Sequence, residues 1–182
     1  METYVLSDLH LSAAKDGGLY AGGDALLHFI SRLAQKTTPA RVILNGDTFD
    51  FLAEEGELTL DVPLLTATAQ RLVSSEIGAA LFRQLGRLLA HQGQVIVRLG
   101  NHDLELALPA VQQQLRRALH QPNSVAERLE FSTGDRPLLL DVGGVRVLVT
   151  HGEHDDPFNQ VDYSQLLAST EASGVSRSSF RY

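Results

Sequence analysis

Apolar residues along the chain alternate between short continuous runs and stretches with the 3.6-residue spacing of a helix. The short runs predict strands at residues 3–6, 41–44, 95–99, 138–142 and 145–149. Gly143 and Gly144 predict a tight hairpin between the last two strands. The helical spacing predicts helices over residues 24–34, from Ser74 or Ser75 to Gly93, and over residues 109–120. Residues 54–68 fit neither period, and we expect a loop or a cap over a site there.

This alternation of strands and helices predicts an α/β fold, to which the late hairpin adds a mixed sheet edge. The 182 residues fit a single domain, which we assign to residues 1–182. After Asp162 the chain becomes rich in serine and loses its periodicity. We therefore expect residues 162–182 to be an irregular tail or the start of a missing element.

Composition narrows the class of protein. Hydrophobic residues make up 43% and charged residues 20%, which is ordinary for a soluble globular chain, and the sequence has no apolar run long enough to span a membrane. The chain has no cysteine, which excludes disulfides, thiolate zinc sites and cysteine nucleophiles and is consistent with a cytoplasmic location. The net charge of -7 argues against nucleic acid as a partner, although carboxylates that bind metal contribute to that charge.

Polar side chains follow four of the predicted strands at the point where each strand ends. They are Asp8 and His10; Asp47 and Asp50; Asn101, His102 and Asp103; and His151, Glu153 and His154. In open α/β sheets, ligands bind beyond the carboxyl ends of the strands, so we expect these groups to meet in one region. Asp8 and His10 lie two positions apart, which places both side chains on one side of extended backbone. For Asp103 we expect a simpler role as the cap of a helix that begins near Leu104.

This set of side chains suits a pair of divalent metal ions. Two such ions about 3.5 to 4 Å apart can clamp a phosphate and generate hydroxide at neutral pH, and they need a carboxylate that bridges them. Mixed histidine, aspartate and asparagine ligands favour Mn, Fe, Zn or Co. Glycines at positions 46, 100 and 152 let the backbone turn sharply beside the ligands.

The ordered motifs D-x-H, G-D-x-x-D, G-N-H-D and a His-Gly after a strand resemble the calcineurin-like metallophosphoesterases. The resemblance runs from Tyr4 to about Asp156, which is most of the chain. It implies a metallophosphoesterase-type α/β sandwich of two mixed sheets flanked by helices. It also implies a binuclear metal-dependent hydrolase that cleaves a phosphomonoester, phosphodiester or pyrophosphate bond of a small substrate by a metal-bound hydroxide, with manganese among the metals expected.

The resemblance also assigns a role to each metal ligand. Asp8 and His10 would bind the first metal ion, and Asp47 would bridge both ions. Asn101 and His151 would bind the second ion.

Two further residues take catalytic roles by the same resemblance. His102 would protonate the leaving oxygen, and Asp50 would orient His102. The segments SDLHLS, GDTFD and THGE are most similar to the branch that contains the UDP-diacylglucosamine pyrophosphatases of lipid A synthesis. That branch typically has Arg at the position of His102, so its substrate is not carried over.

The chain departs from the family after Gly152, because no G-H-x-H segment follows. One interpretation is that the chain is the N-terminal portion of a longer domain, incomplete at its C-terminus. The other is that His154, with Glu153 or Asp155, completes the metal site as an additional ligand. The missing segment favours one rival function, a catalytically incomplete fragment or non-catalytic scaffold. A second rival, a metal-dependent nuclease, is permitted by G-N-H-D, but the acidic charge speaks against it. We also expect Asn159, Asp162 and Tyr163 to line the substrate cleft.

Overall fold

The computed structural model describes residues 1–13, 22–56, 59–134 and 136–172. Four parallel strands form one sheet in the order β1-β2-β3-β4: β1 is Glu2–Leu6, β2 is Ala40–Asn45, β3 is Gln94–Arg98 and β4 is Leu129–Ser132. Two antiparallel strands, β5 at Leu138–Val142 and β6 at Val145–Val149, form a second sheet. The hairpin thus forms a sheet of its own, as the family resemblance implies, and not the mixed edge that the strand pattern alone predicts.

Helices cover one face of the parallel sheet and the hairpin covers the other. The helices are α1 at Gly23–Ala34, α2 at Phe51–Glu55, α3 at Val62–Ser74, α4 at Glu76–Ala90, α5 at Pro109–Ala118, α6 at Asn123–Ala126 and α7 at Tyr163–Ala172. Val42 and Leu44 of β2 point into the helical core, whereas Ile43 packs with Ile96 and Leu140 under the hairpin. Strand β2 is buried on both sides for this reason, which explains its continuous apolar run. The predicted α/β fold class is confirmed.

The prediction of a loop over residues 54–68 is wrong for most of this segment. Helix α2 extends to Glu55, and α3 begins at Val62 after Asp61, whose side chain accepts a hydrogen bond from the Leu64 backbone N–H at 3.0 Å. Asp61 and Pro63 are the local signals that mark this helix start. The short helix α2 escapes detection because five residues are too few to show a helical period.

The segment after Asp162 continues as an ordered element for ten residues. Tyr163 and Leu166 of α7 are buried against the rest of the chain, so over this length the segment is a helix and not an irregular tail. Residues 173–182 of the expected tail lie outside the described residues. Among the helices that the structure describes, none combines the length and the apolar character needed to cross a bilayer.

Candidate metal centre

The loops that follow β1 and β2 run side by side at the carboxyl edge of the parallel sheet. The backbone N–H of Asp8 donates to the carbonyl of Gly46 at 3.2 Å, and that of His10 donates to the carbonyl of Asp47 at 2.8 Å. The N–H of Gly46 in turn donates to the carbonyl of Arg98, at the end of β3, at 3.1 Å. Backbone pairing therefore continues past the strands and fixes the positions of the side chains that follow them.

Three polar residues of these loops have left-handed backbone. The φ angles are 56° at Asp8, 43° at His10 and 49° at Asp47. Non-glycine residues rarely adopt this conformation, and it is commonly retained at functional sites. Asp8 and His10 do lie together, but the extended backbone from which we predicted this is wrong. Ligand atoms of Asp8, His10 and Asp47 lie within 4.8 Å of one another.

Two glycines leave the space that these side chains fill. A Cβ on Gly46 would lie 2.3 Å from Nδ1 of His151, and Gly46 also has a φ of +81°. A Cβ on Gly100 would lie 2.2 Å from Oδ1 of Asp47 and 2.8 Å from Nε2 of His151. The sequence assigns these glycines to sharp turns, and the structure adds that their missing side chains admit the candidate ligands.

Asp47 lies between two imidazoles that come from different loops. Its Oδ2 is 3.6 Å from Nε2 of His10 and 3.5 Å from Nε2 of His151, while its Oδ1 accepts a hydrogen bond from the backbone N–H of His102 at 2.9 Å. Burial opposes ionisation of Asp47, but the contact with His151 and the His102 N–H lower the pKa of the carboxyl below its ordinary value. A single ionised carboxylate thus faces both imidazoles.

His151 is held by its other ring nitrogen. Its Nδ1 is 2.9 Å from the carbonyl oxygen of Asn45, so we assign the Nδ1 proton to that bond, which directs Nε2 toward Asp47. Burial alone would lower the pKa of His151, but the contact with the Asp47 carboxylate raises it to about 9. A backbone carbonyl that fixes one nitrogen of a histidine is the usual support of a metal-binding imidazole.

These donors fit the two divalent ions that the sequence predicts. Asp8 and His10 cluster with Asp47, Nε2 of His151 approaches the same carboxylate, and Asn101, which follows β3, lines the same pocket. The shared carboxylate, the fixed imidazole and the amide form the mixed oxygen and nitrogen set that Mn, Fe, Zn and Co accept.

Asp50 contacts two histidines with its two carboxylate oxygens. Its Oδ1 is 3.1 Å from Nδ1 of His102, and its Oδ2 is 3.3 Å from Nδ1 of His10. Burial again opposes ionisation, but the bonds with His102 and with the Ala53 backbone N–H lower the pKa of Asp50. The two imidazole rings meet edge to face with centroids 4.8 Å apart. The predicted Asp50–His102 pair is therefore present, and the additional contact of Asp50 with His10 is a feature that the sequence does not reveal.

A pocket opens over this cluster. The side chains and backbone that line it belong to Asp8, Asp47, Asn101, His102, His151, Gly152, Glu153, Asp156 and Asn159. Asn159 lies in the predicted cleft. Asp162 does not line it and instead accepts a hydrogen bond from the Gln165 N–H in the first turn of α7.

Glu153 and His154 begin a 3₁₀ turn, Glu153–Asp155, directly after Gly152. Glu153 is buried, and Tyr163 of α7 donates a hydroxyl hydrogen bond to its Oε1. Tyr163 is itself buried, and the pKa of its hydroxyl is raised by burial and by the bond to Glu153. Glu153 thus lines the pocket and joins α7 to it, whereas the side chain of His154 lies outside the described part of the structure.

Asp103 has a role other than the predicted helix cap. Its side chain makes no capping bond to the 3₁₀ turn Leu104–Ala107. Instead Oδ1 accepts from the Gly100 N–H at 2.7 Å, and Oδ2 accepts from the N–H groups of Thr48 at 2.7 Å and Phe49 at 3.4 Å. Burial and the nearby Asp47 charge raise the pKa of Asp103 to about 7. Asp103 ties the loop after β3 to the loop after β2, a long-range contact that no local pattern reveals.

The sequence profile of the calcineurin-like phosphoesterase family matches residues 1–176. A search of curated proteins finds no match to the chain. The family match covers every candidate ligand described above, and its members are generally metal-dependent phosphoester hydrolases with a binuclear centre.

Proposed function

The chain belongs to the calcineurin-like phosphoesterase family, and we propose that it hydrolyses a small phosphorylated substrate with two bound metal ions. The observation that carries this proposal is the position of Asp47, whose Oδ2 lies 3.6 Å from Nε2 of His10 and 3.5 Å from Nε2 of His151. A carboxylate shared by imidazoles of two loops is what two adjacent cations require.

In this proposal Asp8 and His10 hold one ion, Asn101 and His151 hold the other, and Asp47 binds both. The ions, when bound, supply Lewis acidity toward the phosphoryl oxygens and lower the pKa of bound water. The donor set supports Mn, Fe, Zn or Co, and manganese is the first metal to test. Glu153 lies near enough to the pocket to serve as an additional ligand, although it is already bonded to Tyr163.

His102 is the proposed general acid. Its Nδ1 contacts Asp50, which directs Nε2 away from that carboxylate, and the side chain is 29% exposed where it lines the pocket. The contact with Asp50 fixes the orientation of the imidazole, and in this proposal Nε2 delivers the proton to the leaving oxygen. Asp50 is a positioning residue, because its contacts are with His102 and His10 and not with the pocket.

Two finer assignments also belong to this proposal. The segments SDLHLS, GDTFD and THGE are similar to the UDP-diacylglucosamine pyrophosphatase-like branch, which supports placing this chain near that branch. Because the branch typically has Arg at the position of His102, we do not propose the same substrate. The absence of cysteine supports a cytoplasmic location, and the length of 182 residues supports a single domain.

Hydrolysis of bis(4-nitrophenyl) phosphate and 4-nitrophenyl phosphate tests the proposal. The protein is stripped with a chelator, assayed, and assayed again after Mn²⁺ is added. We expect activity only with metal, its loss in Asp47→Ala, and a fall of about 10² to 10⁴-fold in His102→Ala with unchanged metal content. A chain that hydrolyses neither of these esters nor inorganic pyrophosphate with any of the four metals would instead be a non-catalytic scaffold.

A further inference from the structure

One wall of the pocket is formed by the loop that follows the 3₁₀ turn at Glu153–Asp155. Asp156 and Asn159 of this loop both line the pocket. The carboxylate of Asp156 is fixed there, because its Oδ2 accepts a hydrogen bond from Nδ2 of Asn159 at 2.7 Å and its Oδ1 accepts from the Phe158 backbone N–H at 3.0 Å.

This loop is joined to the proposed metal ligands. Oδ1 of Asn159 lies 3.5 Å from Nδ2 of Asn101, so two hydrogen-bonded links connect the Asp156 carboxylate to a candidate ligand of the second ion. Asp156 therefore lines the same pocket as the candidate ligands, which a substrate must enter to reach the metals, and it is not itself one of the proposed ligands.

The pocket wall has an acidic character beyond the ligands. Its described lining residues include the carboxylates of Asp8, Asp47, Glu153 and Asp156, and none of them is Lys or Arg. The charges of Asp8 and Asp47 are offset by the cations that they bind. Glu153 is buried and accepts a hydrogen bond from the Tyr163 hydroxyl, whereas Asp156 is half-buried and is not a proposed ligand. The charge of Asp156 is therefore the one that a substrate in this pocket would meet.

A negative charge at this position distinguishes esters by their own charge. A phosphodiester carries one negative charge at neutral pH, whereas a phosphomonoester carries nearly two. The repulsion from a fixed carboxylate therefore acts about twice as strongly on the monoester. At the effective dielectric constant of a partly exposed site, one additional unit charge several ångströms away weakens binding on the order of tenfold.

We propose that Asp156 makes this site selective for phosphodiester monoanions over phosphomonoester dianions. The inference rests on the proposed function and names its substrate class. In the reaction, the oxygen of one water molecule forms a bond to phosphorus and the ester P–O bond breaks, while the water gives up one proton to solvent, from which His102 regains its proton at the end of the cycle. The leaving oxygen takes a proton from His102, and the products are an alcohol and a phosphomonoester. Asp156 thereby also favours release of the more highly charged product.

The experiment compares the two nitrophenyl esters, because they share a leaving group and differ in charge. We measure kcat/KM for both with the Mn²⁺-loaded protein, for wild type, Asp156→Asn, Asp156→Glu and the matched control Asp155→Asn. Asp155 is the exposed neighbouring carboxylate and does not line the pocket. Bound metal is measured in every sample.

We expect wild type to prefer the diester, and Asp156→Asn to shift the ratio of kcat/KM toward the monoester about tenfold at unchanged metal content. Asp156→Glu and Asp155→Asn should leave the ratio within about twofold of wild type. A wild type that prefers the monoester, an unchanged ratio in Asp156→Asn, or a loss of bound metal in that variant would overturn the proposal. If Asp156→Asn fails to fold, Asp156→Ser removes the same charge and should give the same shift toward the monoester; an unchanged ratio in that variant would also overturn the proposal. Absence of hydrolysis of both esters and of inorganic pyrophosphate is a different result, since it refutes the proposed function.

Discussion

Adding one methyl group at Gly100 should disrupt the metal centre. The Cβ of an alanine at this position would lie 2.2 Å from Oδ1 of Asp47, 2.5 Å from its backbone nitrogen and 2.8 Å from Nε2 of His151. The side-chain atoms can rotate away, but the backbone nitrogen cannot. Gly100 does not have a left-handed φ, so the cost of Gly100→Ala is steric and not conformational.

The size of the destabilisation follows from how far the Asp47 backbone nitrogen must move away from the added Cβ. Ordinary contact begins at 3.4 Å, so the backbone of Asp47 must move about 0.9 Å from its position at 2.5 Å. The carbonyl of Asp47 accepts from His10, and the Gly100 N–H donates to Asp103, so both bonds are stretched. We expect a loss of about 3 kcal/mol in the free energy of unfolding, at the upper end for an inserted methyl group. A shift near 1 Å also exceeds the roughly 0.5 Å that a ligand set tolerates.

Chemical denaturation and Mn²⁺ binding measure the two effects. The matched control is Gly134→Ala, because the nearest atom to its added Cβ is the Arg136 backbone nitrogen at 4.0 Å. The control should change the free energy of unfolding by less than about 1 kcal/mol and retain both ions. If the Gly100→Ala protein is as stable as the Gly134→Ala protein and binds the same amount of metal, the steric argument is refuted.

Two further predictions concern buried carboxyl groups. Burial, and then the charges of Asp103, Glu55 and Asp50, raise the pKa of Glu105 to about 8 from 4.5. The folded protein therefore binds this proton more tightly than the unfolded chain, and the free energy of unfolding falls as pH rises from 4.5 to 8. Glu105→Gln should remove about 3 kcal/mol of this fall, measured as the difference between the free energies of unfolding at about pH 5.5 and about pH 8.5. If the free energy of unfolding depends on pH in the same way in both proteins, the assignment is wrong. Asp50→Asn should lower turnover at least about 100-fold. It should also lower the affinity for one metal ion about 10 to 100-fold in calorimetric titration, because Asp50 contacts His10 as well as His102. Unchanged metal affinity would leave Asp50 a partner of His102 alone.

The local sequence pattern predicts an element correctly where residues within that element determine its bounds. Strands β5 and β6 have the bounds predicted from sequence, because two glycines with φ of +63° and +83° form the hairpin between them. The helix predicted from Ser74 or Ser75 begins after Ser75, whose side chain accepts from the Gly78 N–H at 3.1 Å. Strand β4 escaped prediction because its four residues include Glu130 and, among the described strands, pair with β3 alone.

The candidate site was predicted in part for a similar reason. Strand ends locate Asp47, Asn101, His102 and His151, since parallel strands bring their carboxyl ends to one edge. The contact of Asp50 with His10 and the backbone hydrogen bonds of Asp103 join loops that are far apart in sequence. A local pattern of residues cannot predict such contacts. The left-handed backbone of the ligand loops is likewise fixed by tertiary pairing. Its sequence signal is weak, because Asp and His adopt this conformation more often than most residues but far less often than glycine.

The most direct test of the two-metal site is the number of ions that the protein holds. The purified chain is incubated with Mn²⁺, dialysed and analysed for metal, beside Asp47→Ala and the control Asp24→Ala, which removes an exposed carboxylate in the first turn of α1. We predict about two ions per chain in wild type and in the control, and a loss of both in Asp47→Ala, since Asp47 is the proposed ligand of both ions. One ion or none in wild type, or two ions retained in Asp47→Ala, would contradict this prediction.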